Sequence, residues 1–195
     1  MSSEAKQSRT ARGIYLVGFS GTGKSTIARI VSAKLQWPAC DLDELIVERC
    51  GRSIAEIFQQ EGEPGFRQRE AEALHAVSSQ GAFVVATGGG IVVREENRQY
   101  MAGKGWVICL EAQPHTILAR VQRQALESDP KGVRPMLDAA DRLEKIRSLK
   151  NARQSAYACA DWTVHTDRLT AEEIAAEVIR AVEILERSEF TSSVQ

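Results

Sequence analysis

The chain has 195 residues, a formal net charge of -1, 43% hydrophobic residues and 26% charged residues. This length suits one compact domain, and this composition excludes an intrinsically disordered chain. The near-neutral charge provides no general attraction for nucleic acid or for an anionic membrane surface, so we expect neither as a partner.

Residues 1–12 are polar and lack the apolar run of a signal peptide, and no segment approaches the roughly 20 apolar residues that span a bilayer. We therefore predict a cytoplasmic protein, and we also expect a monomer. A disordered tail over residues 1–12 would precede a single domain over residues 13–187, and a second tail would cover residues 188–195.

Short apolar runs alternate with longer segments of helical periodicity, which is typical of an α/β domain with a five-stranded parallel sheet flanked by helices. The predicted strands are Ile14–Val17, Ala39–Cys40, Phe83–Ala86, Trp106–Leu110 and Trp162–His165. The predicted helices are Lys24–Gln36, Asp43–Cys50, a short turn from Ile54, Gly65–Ser79, and four more that begin near Arg94, Pro114, Ala140 and Thr170. Capping-box spacings at Ser53–Glu56 and Thr170–Glu173 support two of the helix starts.

The four cysteines form no C-x-x-C pair, and the three histidines are scattered without metal-ligand spacing. Cys40 and Cys109 lie in predicted strands, where a reduced thiol packs as a small hydrophobic side chain. We therefore predict buried thiols and no zinc site.

A phosphate-binding motif follows the first predicted strand. The sequence Gly18-Phe19-Ser20-Gly21-Thr22-Gly23-Lys24-Ser25 matches G-x-x-x-x-G-K-[ST] and leads directly into a predicted helix. Its glycines allow a tight turn whose N–H groups face phosphate oxygens, and the helix N-terminus adds its dipole. We predict that ATP binds here, that Lys24 reaches the β- and γ-phosphates and that Ser25 is a ligand of Mg²⁺. The predicted nucleotide-binding residues are Gly21, Thr22, Gly23, Lys24, Ser25 and Thr26.

Two carboxylates, Asp41 and Asp43, follow the second predicted strand. Ligands of open α/β sheets bind at the carboxyl ends of the strands, so we expect both carboxylates near the phosphate site. One carboxylate would organise metal-bound water, and the other would accept a proton from an attacking hydroxyl. The alternative is a helix N-cap at Asp43 with Asp41 exposed to solvent.

Three consecutive glycines, Gly88, Gly89 and Gly90, follow the third predicted strand. Glycine gives up side-chain packing and costs backbone entropy, so a run of three indicates a close approach to the main chain. A substrate hydroxyl or carboxylate held by backbone N–H groups is the functional interpretation, and a plain flexible turn is the alternative.

The segment Leu126–Leu137 contains two prolines, a glycine and several charges between two predicted helices. We predict a mobile lid, with an ordinary surface loop as the alternative. Arg134 lies in this segment, where a loop arginine can close over a transferring phosphate.

In order and spacing, these motifs resemble those of the shikimate kinases, over about residues 13–187. The resemblance rests on the phosphate loop, Asp41-Leu42-Asp43, Gly65-Phe66-Arg67, Gly88–Gly90, Arg134-Pro135, and Arg153 with Tyr157. It implies a fold of the nucleoside-monophosphate-kinase type and transfer of the ATP γ-phosphoryl group to the shikimate 3-hydroxyl, a step of aromatic amino-acid biosynthesis.

The resemblance also implies individual roles. Asp43 would contact the substrate hydroxyls, and Asp41 would support the magnesium shell. Arg67 and Arg153 would hold the shikimate carboxylate beside the glycines, which suits a rigid carboxylate that needs a fixed orientation. Arg134 would contact phosphate, and Arg120 would lie against adenine.

Two other functions are compatible with the phosphate loop. A P-loop kinase for another small acceptor, such as gluconate or a nucleotide, would keep the loop without needing the paired arginines. A nucleotide-dependent switch protein is the alternative from another class. A GTPase would carry an N-K-x-D motif, and the sequence has none.

Overall fold

In the computed structural model, which describes residues 13–77, 82–127 and 142–192, five strands form one parallel sheet. In chain order they are β1 (Gly13–Val17), β2 (Ala39–Asp41), β3 (Phe83–Ala86), β4 (Gly105–Glu111) and β5 (Trp162–His165). The order across the sheet is β2-β3-β1-β4-β5, and each neighbouring pair is parallel. The predicted five-stranded parallel sheet is confirmed.

Helices connect the strands and cover both faces of the sheet. They are α1 (Lys24–Leu35), α2 (Leu42–Cys50), α3 (Ile54–Val77), α4 (Glu95–Lys104), α5 (Pro114–Glu127), α6 (Arg142–Tyr157) and α7 (Ala171–Ser192), with a short 3-10 helix at Ile91–Val93. The helix α3 bends at Gly62, which has a φ of 68°, and Pro64 begins its second part. This bend is the break predicted between the turn from Ile54 and the helix from Gly65.

Local signals set several helix ends as the sequence predicted. In the capping box at Ser53, the backbone N–H donates to Glu56 Oε2 at 2.7 Å, and the Glu56 N–H donates back to Ser53 Oγ at 3.3 Å. The box at Thr170 has the same reciprocal bonds with Glu173. The last helix is longer than predicted. The helix α7 continues to Ser192, so residues 188–192 are helical, whereas the sequence predicted a tail over residues 188–195.

Alternation of side chains along the strands builds a separate core on each face of the sheet. Ile14 and Leu16 of β1 pack with α1 and α7. Tyr15 and Val17 of the same strand pack with α2, α3, α4 and α6 on the opposite face. The central strand is therefore fully buried, and the loop that follows it starts from a rigid support.

The strand order reverses next to β1, because β2 and β3 lie on one side of it and β4 and β5 on the other. Open α/β sheets bind ligands in the crevice at such a switch point, beyond the carboxyl ends of the strands. In the described part of the chain, no helix is long and apolar enough to cross a membrane.

Candidate active site

The phosphate loop connects β1 to α1 and needs glycine at several positions. Gly18, Gly21 and Gly23 have φ angles of 133°, 82° and 99°, a region that other residues rarely adopt. Gly23 precedes the first turn of α1, and no side chain from the described residues caps that turn. The loop leads directly into α1, so the positive end of the helix dipole lies beside it, as anion binding requires.

Lys24 lies within the loop. Its Nζ donates to Gly18 O at 2.8 Å and to Phe19 O at 2.9 Å, and the residue is only 6% exposed. Thr22 Oγ1 also donates to Phe19 O, at 2.9 Å. These hydrogen bonds thus close the loop around a buried ammonium group.

A cavity of about 670 Å³ opens over this loop. This volume lies within the range of typical small-ligand sites. The lining comprises residues 21–27 of the phosphate loop and α1, Asp43 in the first turn of α2, Thr87 after β3, Arg120, Arg123 and Gln124 of α5, and Leu169, Ala171 and Ile174 around the start of α7. All six predicted nucleotide-binding residues of the loop line this one cavity, together with Arg120.

Arg120 connects two parts of the cavity wall. Its Nη1 donates to Thr166 Oγ1 at 2.8 Å and its Nη2 to Thr166 O at 2.7 Å, and Nη1 also reaches Thr22 O at 3.4 Å. The guanidinium therefore ties the loop after β5 to the phosphate loop.

The two carboxylates after β2 have different surroundings. Asp41 Oδ1 accepts from the N–H groups of Asp43 at 2.9 Å and Glu44 at 3.4 Å, so Asp41 is the N-cap of α2. The alternative that put this cap at Asp43 is wrong. A cap at Asp43 would need a helix that begins at Glu44, whereas α2 begins at Leu42 and already contains Asp43. Asp43 instead lines the cavity.

The glycine run lies between the cavity and two buried arginines. A Cβ on Gly88 would lie 3.0 Å from Asp43 Oδ1, and a Cβ on Gly90 would lie 2.5 Å from Arg67 Cζ. Arg153 Nη1 donates to Gly89 O at 3.2 Å. The structure thus brings Arg67 of α3 and Arg153 of α6 to the same short loop, with exposed fractions of 6% and 8%.

Glu70 is a site residue that the sequence reasoning missed. It is fully buried, forms an ion pair with Arg67 Nη1, and its Oε1 would overlap a Cβ on Gly88. Burial raises the pKa of Glu70 to about 7, although Arg67 works in the opposite direction. Burial also opposes the charge of Arg67, but Glu70 and Glu63 outweigh it and raise the pKa of Arg67.

This arrangement suits an acceptor that carries both a hydroxyl and a carboxylate. Two arginines can fix a carboxylate through charge-assisted hydrogen bonds, while Asp43 lies at the edge of the phosphate cavity. Residues 20–183 match the family model described as shikimate kinase. The chain belongs to the shikimate kinase family.

Other shikimate kinases match this chain over most of their own length. The shikimate kinase of Rhodopirellula baltica is 40% identical over 86% of this chain and 89% of its own. The solved shikimate kinase of Acinetobacter baumannii, in complex with shikimate, is 33% identical with a TM-score of 0.81, covering 92% of this chain and 96% of its own. A gluconokinase from Sinorhizobium meliloti has a TM-score of 0.62 at 15% identity, covering 95% of this chain and 99% of its own. That last likeness shows a shared fold alone.

Tyr157 also belongs to the site, although the sequence pattern singled it out only within the family resemblance. Its hydroxyl donates to Gly89 O at 2.8 Å, and burial raises its pKa. Arg134 lies outside the described residues, as does most of the predicted lid. Residues 126 and 127 continue α5.

Proposed function

We propose that this protein transfers the γ-phosphoryl group of ATP to the 3-hydroxyl of shikimate, forming shikimate 3-phosphate and ADP. The single observation that carries the proposal is the placement of two buried arginines beside Gly88–Gly90, directly next to a carboxylate that lines the phosphate cavity. Family membership supports the same reaction. The product is an intermediate of aromatic amino-acid biosynthesis.

In this proposal the phosphate loop binds ATP through the N–H groups of residues 21–26 and through Lys24. The ammonium of Lys24 already lies inside the loop, where it bonds to Gly18 O and Phe19 O, and phosphate oxygens would take over these bonds when ATP binds. Arg120 supports the adenine end of the cavity, because it fixes the loop after β5 against Thr22.

Ser25, which lines the cavity, would bind Mg²⁺ directly, and Asp41, the N-cap of α2, would support the shell from outside the cavity lining. A serine hydroxyl and one carboxylate suit this ion, which usually takes one or two carboxylates together with substrate phosphates and water. In residues 13–77, 82–127 and 142–192, no three histidine, cysteine or acidic side chains form a metal cluster, so this protein would depend on the phosphates to complete the shell. When bound, Mg²⁺ neutralises charge on the β- and γ-phosphates.

Arg67 and Arg153 would bind the shikimate carboxylate, with Gly88–Gly90 beside the ring. Glu70 holds the Arg67 guanidinium in place, and Gly89 O orients the Arg153 guanidinium. Fixing the carboxylate fixes the ring and thereby directs one hydroxyl toward the phosphate cavity.

Asp43 would accept the proton of that hydroxyl. The hydroxyl oxygen then forms a bond to the γ-phosphorus as the bond from the γ-phosphorus to the bridging oxygen breaks, and ADP leaves with the electron pair. Lys24 stabilises the negative charge that collects on the departing phosphate.

A coupled assay for ADP tests the acceptor. We expect ADP only when ATP, Mg²⁺ and shikimate are all present. Gluconate and a nucleoside monophosphate serve as comparison acceptors, because kinases for these compounds keep the phosphate loop without needing the paired arginines. Turnover on either of them without turnover on shikimate would refute the acceptor assignment. ADP formation that needs no acceptor would instead favour a nucleotide-dependent switch.

The proposal extends to a monomer in the cytoplasm. All four cysteines are free thiols, which agrees with a reducing compartment. Gel filtration of the active protein tests the monomer, since a dimer that carries the activity would contradict it.

A further inference from the structure

The phosphate loop and the carboxylate-binding arginine contact each other through Phe19. The Arg153 guanidinium lies over the Phe19 ring, with Cζ 5.8 Å from the ring centroid. Phe19 is 3% exposed and packs with Ala112, Ile117 and Ile146. A buried ring in this position attracts the cation through its quadrupole and limits where the guanidinium can lie.

A second contact joins the same two loops through the backbone. A Cβ on Gly89 would lie 3.0 Å from Ser20 N and 3.5 Å from Phe19 C, so a larger residue would push the two loops slightly apart. Gly89 O in turn accepts from Arg153 and from Tyr157. Phe19 and Ser20 are thus in direct contact with the loop and the arginine that face the acceptor.

Residues of the nucleotide site also form hydrogen bonds with Phe19. Phe19 O accepts from Lys24 Nζ at 2.9 Å and from Thr22 Oγ1 at 2.9 Å. A phosphate in the loop competes for the Lys24 ammonium and contacts the loop N–H groups. A bound nucleotide would therefore act directly on the hydrogen bonds of the backbone that carries the Phe19 ring.

We infer that Phe19 is a positioning residue that couples the nucleotide site to Arg153, so that a bound nucleotide raises the affinity for the carboxylate of the acceptor. This inference rests on the proposed function. The coupling is positive because phosphate contacts fix the loop, so the acceptor meets a ring and a guanidinium that are already held in place. Less ordering entropy is then lost when the acceptor binds. Because coupling is reciprocal, shikimate raises the affinity for ADP by the same factor.

Calorimetric titrations measure this coupling directly. The Kd of shikimate is determined without nucleotide and with saturating ADP and Mg²⁺, and the ratio of the two values is the coupling factor. Phe19→Leu removes the ring face while keeping an apolar side chain. Phe19→Met is a second variant, whose flexible side chain fills the same space if leucine packs poorly.

Phe66→Leu is the matched control. Phe66 is 5% exposed and lies beneath the other arginine, with its centroid 5.5 Å from Arg67 Cζ, but it belongs to α3 and not to the phosphate loop. Loss of this ring should weaken shikimate binding equally with and without ADP.

We expect a coupling factor of about 5 or more for the parent protein, a common size for linked sites. Both Phe19 variants should lower it to about 2 or less and should weaken shikimate binding in the presence of ADP by roughly 3- to 30-fold, the range of a cation–π contact. Phe66→Leu should keep the parent factor.

Several results would overturn the inference. These are a parent factor near 1, parent-like factors in both Phe19 variants, or an equal loss of coupling in Phe66→Leu. Loss of ADP binding in both Phe19 variants would also contradict it, because Phe19 would then serve only the structure of its own loop. If the parent fails to bind shikimate in either condition, the acceptor assignment fails as well.

Discussion

Gly90 provides a test of Arg67 that leaves the arginine itself in place. In Gly90→Ala, the new methyl carbon would lie 2.5 Å from Arg67 Cζ, whereas non-bonded carbons normally approach to about 3.5–4.0 Å. The backbone at Gly90 has φ -112° and ψ 2°, which alanine tolerates. The substitution therefore acts by overlap and not by backbone strain.

The overlap requires the guanidinium to move by about 1 Å or more. Arg67 is held by the buried ion pair with Glu70 and by Glu63, whose Oε1 accepts from Nη2 at 3.0 Å, so it cannot move without straining these bonds. A hydrogen bond to a charged group contributes about 1.5–3 kcal/mol. Loss of the contact between Arg67 and the carboxylate should therefore weaken shikimate binding by roughly 10- to 150-fold.

The assay is a calorimetric titration of Gly90→Ala with shikimate and, separately, with ADP and Mg²⁺. ADP affinity should stay within about threefold of the parent, because the three atoms nearest to an added Cβ on Gly90 all belong to Arg67. Gly103→Ala is the matched control, since Gly103 lies in α4 with no atom within 4 Å of its added Cβ. That variant should bind both ligands normally and gain about 0.4–1 kcal/mol of stability from the lower entropy of its unfolded chain.

Near-normal shikimate affinity in a folded Gly90→Ala variant would refute this reasoning. It would mean either that Arg67 repositions freely or that it does not bind the carboxylate. An equal loss of ADP affinity would instead assign Arg67 to the nucleotide site.

Three further predictions concern other residues of the site. Asp43→Asn should lower kcat by roughly 10²–10⁴ in steady-state assays while the N-cap of α2 stays intact, and a loss below threefold would assign Asp43 a structural role. The pKa of Glu70 is raised from an ordinary 4.5 to about 7, so the folded state binds its proton more tightly than the unfolded state. The unfolding free energy of the parent should therefore fall relative to Glu70→Gln as pH rises from 4.5 to 7, by up to about 3 kcal/mol in urea titrations, and a difference independent of pH would contradict this. Arg120→Ala should raise the KM for ATP roughly tenfold with little change in the KM for shikimate, because it frees the loop at Thr166; equal rises in both KM values would be the contrary outcome.

Features that depend on neighbouring residues in the chain were predictable from the sequence. The phosphate loop is one example, because its glycines, Lys24 and the start of α1 follow one another directly. The capping box at Ser53 is another, since its two partners are three residues apart. The strands were predictable for a related reason: buried parallel strands appear as short apolar runs between turn residues.

Features that depend on packing across the site were harder to predict. The role of Glu70 follows from how α3 lies against Gly88, which no local pattern reveals. Its position three residues after Arg67 does indicate an ion pair on one helix face, and this signal was available. The cap at Asp41 was missed for a different reason, because Asp41 and Asp43 both suit a helix start and the boundary decides between them.

The two cores of the sheet also separate the two halves of the chemistry. Asp43, Arg67 and Arg153 lie on α2, α3 and α6, which pack into the core on one face of the sheet. Lys24 lies on α1, which packs with α7 into the core on the other face. A core substitution on one face should therefore change the KM for one substrate more than for the other. For protein engineering, this makes α2, α3 and α6 the elements to redesign for a new acceptor, with the packing of α6 against Phe19 kept because it joins the two halves.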